Sequence, residues 1–185
     1  MTASPGTDLE ALLQARLHDP FRYLGLHRVG ARWVLRVFQP HADAILLHLH
    51  AGLEPLERVH PAGLFEWHGD EQPLTPHLLS VSEGGQVRDT HDPYAFAPAL
   101  SGHDLYLFNE GRLRQAGRTL GSHVEERNGV RGVRFAVWAP NAERASVVGD
   151  FNRWDGRVHP MGVHGSSGVW ELFVPGLSGC ELYKF

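Results

Sequence analysis

The chain has 185 residues, 42% hydrophobic and 21% charged, the composition of a packed globular chain and not of a disordered one. That length holds one large domain or two small ones and excludes a complete (β/α)₈ barrel, which takes ~250 residues. A formal charge of −4, with arginines scattered along the chain, provides no basic stripe for nucleic acid. Gly 21 and Pro 12 make up roughly one residue in six and favour short segments joined by turns, so β structure is expected. Cys180 is the single cysteine, so no disulfide can close within the chain, and a reducing, cytoplasmic setting is expected. There is neither a basic start followed by an apolar run nor a stretch of ~18 apolar residues, so no signal peptide or membrane span is expected.

Thr7 followed by Glu10 has the pattern of a capping box, and Leu9, Leu12, Leu13 and Leu17 recur at helical spacing until Asp19-Pro20. This predicts a short helix over 8–18. Its polar face is not markedly basic, so it is expected to pack on the domain that follows and not on a membrane. The periodicity then changes to two. Trp33, Leu35 and Val37 alternate with Val34, Arg36 and Phe38, and Ile45, Leu47 and Leu49 alternate with Leu46, His48 and His50, which reads as two strands paired across Gln39-Pro40-His41. Further strands are expected at Leu64–His68, His77–Ser82 and Gln86–Asp89, the last two joined at Gly84-Gly85. From Asp92-Pro93 to about Arg118 the pattern weakens and reads as an inter-domain connection.

A second β pattern repeats the first at an offset of 100 residues. Val37, Pro40 and Ala42 match Val137, Pro140 and Ala142, while Leu35, Phe38 and Asp43 face Phe135, Trp138 and Glu143. The flanks agree too: Leu24–His27 is similar to Leu120–His123, and Gly63–Trp67 to Gly168–Leu172. Each half therefore holds a strand, a proline turn that cannot continue the ladder, and a second strand. The expected fold is all-β, two immunoglobulin-like β-sandwiches in tandem with a short N-terminal helix. The expected boundaries are 1–100 for the first sandwich with its leading helix, 101–120 for the connection and 121–185 for the second sandwich.

The most informative segment is Gly149-Asp150-Phe151-Asn152-Arg153-Trp154-Asp155-Gly156. Val147 and Val148 end a strand, and Asn152, Asp155 and Gly156 favour a tight turn, so Trp154 is expected on a loop. Two roles are open to it there: a half-buried aromatic that seals the sandwich edge, or a flat platform for a sugar ring. Trp138 and Trp170 sit in strand patterns and are expected in the core or an interface. His48 and His50 are expected on a solvent-facing strand surface, because no further ligands are spaced for a metal. His159 and His164 flank a glycine-containing turn and suggest no metal either. Cys180 is expected to be a small buried apolar residue. Glu125-Glu126 and Asp150/Asp155 are expected to be solvated or turn-forming, since paired catalytic carboxylates need a cleft.

Several strings resemble a known family. Asp92-Pro93-Tyr94-Ala95-Phe96, Leu105-Tyr106-Leu107-Phe108 with Glu110-Gly111, and Leu120-Gly121-Ser122-His123 resemble the N-terminal part of bacterial α-glucan (glycogen) branching enzymes. Phe135–Ala142, Val147–Gly156 and Tyr183-Lys184-Phe185 resemble that family's glycogen-binding module. The resemblance implies the non-catalytic N-terminal region of an enzyme whose (β/α)₈ barrel, with an Asp nucleophile and a Glu acid/base, moves α-1,4-glucan segments to 6-hydroxyls. That barrel is absent here, so the 185-residue chain alone is expected to be inactive. In the family's starch-binding modules a loop tryptophan and a lysine on a later strand contact glucan, which implies Trp154 and Lys184 here. The implied partners are α-1,4-glucan or glycogen and the barrel of the same polypeptide, with no cofactor, metal, membrane or nucleic acid. The Trp-Ala-Pro-Asn-Ala and Gly-Asp-Phe-Asn-x-Trp-Asp strings are shared with debranching enzymes and trehalohydrolases. The same region of one of those, or sandwiches that only pack on the barrel, are the alternatives. Tyr183-Lys184-Phe185 reads as an interrupted strand, and the open edge it leaves is expected to promote self-association.

Overall fold

The structure, a computed structural model, describes residues 5–112 and 116–185. It divides into two compact units: Phe21–Phe96, and a second formed by Ala97–Phe185 together with the leading segment up to Pro20. Helix α1 (Pro5–Leu13) begins ahead of Thr7, so Thr7 lies inside it and does not cap it. It also stops short of Leu17. Ala15 takes a left-handed φ of 51°, and the Arg16 and Ala15 amides turn back to the carbonyls of Ala11 (2.6 Å) and Leu12 (2.9 Å), closing the helix. His18 then donates from Nδ1 to the Glu143 carbonyl at 2.6 Å and meets the Trp170 ring edge-on at 5.3 Å. The leading segment thus belongs to the unit of the second sandwich, whereas its place in the sequence suggests the first.

The Phe21–Phe96 unit contains β1 (Gly25–Val29), β2 (Arg32–Phe38), β3 (Ala44–Leu49), β4 (Gly52–Pro55), β5 (Glu57–His60), β6 (Leu64–Gly69), β7 (Leu78–Glu83) and β8 (Gln86–His91). One antiparallel sheet runs β1-β2-β6-β5 and the other β4-β3-β7-β8. The alternation seen in the sequence becomes the core: Leu35 and Val37 of β2, Ile45 and Leu47 of β3, Phe65 and Trp67 of β6, and Leu79 and Val81 of β7 meet between the sheets. Each such buried side chain contributes about 1.5–3 kcal/mol. Strands β2 and β3 do not pair across Gln39-Pro40-His41 as expected. The turn carries the chain from one sheet to the other: the Gln39 amide bonds the Gly63 carbonyl at 2.8 Å, while the Asp43 amide bonds Ser82 in the opposite sheet at 2.7 Å. At Gly84-Gly85, φ values of 55° and 79° make the expected tight hairpin between β7 and β8.

The stretch from Asp92, read from sequence as a connection, has its own structure. A 3-10 turn, Pro93–Ala95, is followed by α2 (Gly102–Asn109), capped by the Ser101 hydroxyl, which accepts the Asp104 amide at 3.0 Å. Helix α3 (Ala116–Thr119) follows, and residues 113–115 of this stretch lie outside the described residues. With Leu105 its only buried residue, α2 has too narrow an apolar stripe to stand out as periodic.

The second sandwich is built from β9 (Gly121–Arg127), β10 (Val130–Trp138), β11 (Val148–Gly149), β12 (Gly162–Val163), β13 (Val169–Pro175) and β14 (Tyr183–Lys184). One sheet runs β12-β13-β10-β9, and β11 pairs with β14. Asn128 and Gly129, both at positive φ, form the β9–β10 hairpin turn. Strand β13 is buried along its whole length, Glu171 included. The Glu171 carboxylate accepts from the amides of Ala99 (2.9 Å) and Leu100 (3.0 Å), from Arg127 Nη2 (2.7 Å) and from His164 Nε2 (2.8 Å). Burial pushes its pKa up, but these donors outweigh that and hold it at about 2.

The repeat seen in the sequence holds in three dimensions. Leu35 faces Trp67 across β2–β6, and Phe135 faces Leu172 across β10–β13. Gly25 and Gly121, both at positive φ, open β1 and β9, and two residues later His27 and His123 each bond back to the carbonyl of Leu24 or Leu120, at 2.8 and 2.9 Å. The Gly63 and Gly168 carbonyls accept the Gln39 and Ala139 amides, both at 2.8 Å. Such matching of bond for bond requires the same backbone path in both copies.

Candidate functional site

The Trp154 loop rises from β11. Val147 beneath it is fully buried, and Gly149 leaves no room for a side chain: a Cβ there would strike the Leu182 carbonyl and the Phe151 ring. A 3-10 turn, Asp150–Asn152, leads into two consecutive residues in the left-handed region, Arg153 at φ 55° and Trp154 at φ 60°. Such a bend in non-glycine residues needs external fixing. Asn152, nearly buried, supplies it. Its Oδ1 accepts the Gly149 amide at 2.9 Å, and its Nδ2 donates to the Val147 carbonyl and to His159 Nδ1, each at 2.9 Å. Phe151 stacks on core Phe135 at 6.1 Å, and Tyr183 meets the same ring at 4.9 Å.

The loop is therefore bolted from below while Trp154 stays 44% exposed. Its Nε1 donates to Asp150 Oδ1 at 2.8 Å, which holds the indole in one orientation. Asp155 accepts the Arg157 amide (2.9 Å) and pairs with Arg157 Nη2 (2.7 Å), closing the far side of the loop. Lys184 stands opposite Val148 in the β11–β14 ribbon and is exposed, so the ribbon that launches the Trp154 loop also carries the lysine. Among the described residues no group of three or more His, Cys, Asp or Glu could hold a metal ion.

Other residues singled out in the sequence behave differently. Trp138, expected in the core or an interface, is 52% exposed at the end of β10, with Phe108 edge-on at 5.7 Å. Trp170 is buried, its indole bonding the Ala139 carbonyl at 3.1 Å. Cys180, expected buried, is exposed, because it lies in the irregular segment between β13 and β14. Glu125 pairs with Arg127 and with Arg134 Nε at 3.2 Å, and Glu126 is exposed. His48 bonds Ser80 Oγ at 2.7 Å, and that hydroxyl donates to Asp89 at 2.6 Å, a cross-strand polar ladder on the sheet's outer side. His50 lies just beyond β3. No helix of the described residues is long and apolar enough to cross a membrane.

Comparison with known proteins agrees with the strings in the loop. Residues 119–185 match carbohydrate-binding module 48 (isoamylase N-terminal domain), and residues 5–94 match the N-terminal domain of alpha-1,4-glucan branching enzyme GlgB. The chain carries the N-terminal region of the glycogen branching enzyme family. It is 56% identical over 177 residues to the 1,4-alpha-glucan branching enzyme GlgB of Methylobacillus flagellatus, covering 96% of this chain and 24% of the relative. It is 53% identical over 190 residues to that of Nitrosomonas europaea, covering 100% of this chain and 26% of the relative. The chain thus spans about a quarter of the length of these branching enzymes. In this branching-enzyme region the module-48 sandwich contains the whole Trp154 loop and Lys184. Sequence reading missed its buried support. Asn152 reads as a turn residue, and nothing in the local pattern couples it to His159, seven residues on.

Proposed function

We propose that the chain binds α-1,4-glucan through the module-48 sandwich and presents it to the catalytic barrel of a glycogen branching enzyme. The parent reaction in this reading is transfer of α-1,4-linked segments to 6-hydroxyls. The chain itself holds and positions glucan and does no chemistry. The observation that carries the reading is the exposed indole of Trp154, fixed by Asp150 at 2.8 Å on a loop locked by buried Asn152. A rigid, half-exposed indole stacks on the apolar face of a pyranose at little cost in ordering. Lys184, on the ribbon at the foot of the loop, supplies N–H donors for sugar hydroxyls. A reducing cytoplasm suits the exposed free thiol of Cys180.

Affinity electrophoresis in gels with and without glycogen tests this. The native chain is expected to be retarded, Trp154→Ala to lose the retardation, and Lys184→Ala to lose part of it. Equal mobility of native and Trp154→Ala chains in both gels removes glucan binding at this loop and leaves a purely structural role.

A further inference from the structure

We infer that the first sandwich carries a second saccharide cleft, at the corner that corresponds in the repeat to the Trp154 loop. The correspondence rests on fixed points in both copies. The Leu56 amide bonds the Ile45 carbonyl at 2.9 Å in the first, and the Met161 amide bonds the Ala145 carbonyl at 2.8 Å in the second. Leu47 and Val147, two residues past those carbonyls, are both fully buried. Between the fixed points the first copy builds the β3–β4 hairpin and the second builds the Trp154 loop, five residues longer. The two segments therefore occupy the same corner of the same fold, where a change of loop alters binding without disturbing the core.

In the first copy that corner opens a cleft of about 460 Å³, in the range of small-ligand sites. His50 and Ala51 of the hairpin, Glu54 of β4, Trp67 of β6, and Asp70 and Gln72 of the following loop line it. Trp67, a core side chain only 6% exposed, is among the lining residues, and its Nε1 donates to Glu54 Oε2 at 2.7 Å, the same indole-to-carboxylate clamp that Trp154 makes with Asp150. Gly69 packs against the six-membered edge of that ring, where any Cβ would collide with it. Arg32 Nε pairs with Asp70 Oδ1 at 3.2 Å, and Glu54 and Glu71 stand on the same lining, so the rim is rich in hydrogen-bond acceptors and does not suit a free anion. A cleft lined by part of an indole together with carboxylate, carboxamide and imidazole groups matches a neutral ligand with some apolar C–H surface and many hydroxyls, each able to donate and accept. That is a saccharide, and the choice of α-glucan as its class rests on the function proposed above.

The test is maltoheptaose titrated into the ¹⁵N-labelled 185-residue chain, followed at the indole N–H signals of Trp67 and Trp154, which Trp67→Phe and Trp154→Phe assign. The Trp67 signal is expected to move saturably in the native chain and equally in Trp154→Ala. Ala51→Trp fills the cleft from the exposed hairpin and is expected to weaken the Trp67 response at least about tenfold, leaving the Trp154 response intact. Gln72→Ala, on the rim and away from the core, is expected to weaken it several-fold in the same direction. A stationary Trp67 signal beside a moving Trp154 signal overturns the cleft and leaves the proposed function standing. If both stay still, both fall. A Trp67 response untouched by Ala51→Trp and Gln72→Ala also overturns the cleft, because the shift then arises elsewhere.

Discussion

His159 Nδ1 accepts a hydrogen bond from the Asn152 carboxamide at 2.9 Å, and through that bond a buried histidine fixes the loop that displays Trp154. The direction of the bond is set by the rest of the carboxamide. Oδ1 is occupied by the Gly149 amide, so Nδ2 faces both His159 and the Val147 carbonyl. Asn152→Ala removes three buried hydrogen bonds at once and is expected to cost about 2–4 kcal/mol. Asn152→Asp keeps an oxygen for Gly149 but turns a second one on the Val147 carbonyl, so it is expected to destabilise as well. Urea unfolding of both variants checks this. A fully stable Asn152→Asp chain would show that the carboxamide donor is unimportant.

Glu171 predicts an acid limb in the stability of the second sandwich. Its carboxyl titrates near 4.5 when unfolded and at about 2 when folded. A depressed folded pKa means stability that is present above pH 4.5 and is lost as the pH falls toward 2, on the order of 3 kcal/mol in all. Thermal unfolding between pH 7 and pH 2 is expected to show that loss in the native chain and a flatter profile in Glu171→Gln. Parallel profiles for the two would assign the acid limb to other carboxylates.

Asp92 predicts the opposite slope in the first unit. It is 2% exposed; Oδ1 accepts the Tyr94 amide at 3.1 Å, while Oδ2 is buried with no hydrogen-bond partner among the described residues. Burial raises its pKa from 3.8 to about 7, against a smaller opposing effect of the Tyr94 bond. A raised folded pKa stabilises fully below pH 3.8, and that contribution fades as the pH climbs through 7. Asp92→Asn keeps the acceptor for Tyr94 without a charge, so its stability relative to the native chain is expected to improve by a few kcal/mol between pH 4 and pH 8. Calorimetric Tm values at those two pH values measure it, and a constant difference between the two proteins would sink the idea.

Gly63 and Gly168 predict a matched pair of lesions. Both have positive φ, 101° and 73°, and a Cβ at either would collide with the backbone of Pro40 or Pro140. Gly63→Ala and Gly168→Ala are each expected to cost more than about 2 kcal/mol, the first in its own sandwich and the second in the other. Hydrogen exchange resolved by unit should localise each effect. Loss of protection in only one of the two variants would break the equivalence of the copies.

The period-two patterns at 33–38, 45–50 and 64–68 were enough to define strands and core, because alternate side chains of a strand point to opposite faces whatever it pairs with. The repeat was legible for a similar reason: Pro40/Pro140 and Gly63/Gly168 are residue types that the backbone path demands in both copies. Trp154 could be placed on a loop because Gly, Asn and Asp around it disfavour a strand. Pairing partners, by contrast, are set by contacts distant in the chain, so β2 and β3 looked like a hairpin while their hydrogen bonds join different sheets. Exposure is decided the same way. Trp138 comes out half exposed at a strand end, with Phe108 against its edge, and Cys180 in an irregular segment. The sequence by itself determined the alternating strands β2, β3, β6, β7 and β8, the Gly84-Gly85 turn and the indole loop, since these depend on local sterics and alternation, while the short strands β1, β4 and β5 carry too little alternation to be read. Only the tertiary structure decided that Asn152 and His159 meet beneath Trp154, and that Glu54, Trp67 and Asp70 converge on one corner, because no local preference encodes which distant side chains share a buried bond or a cleft.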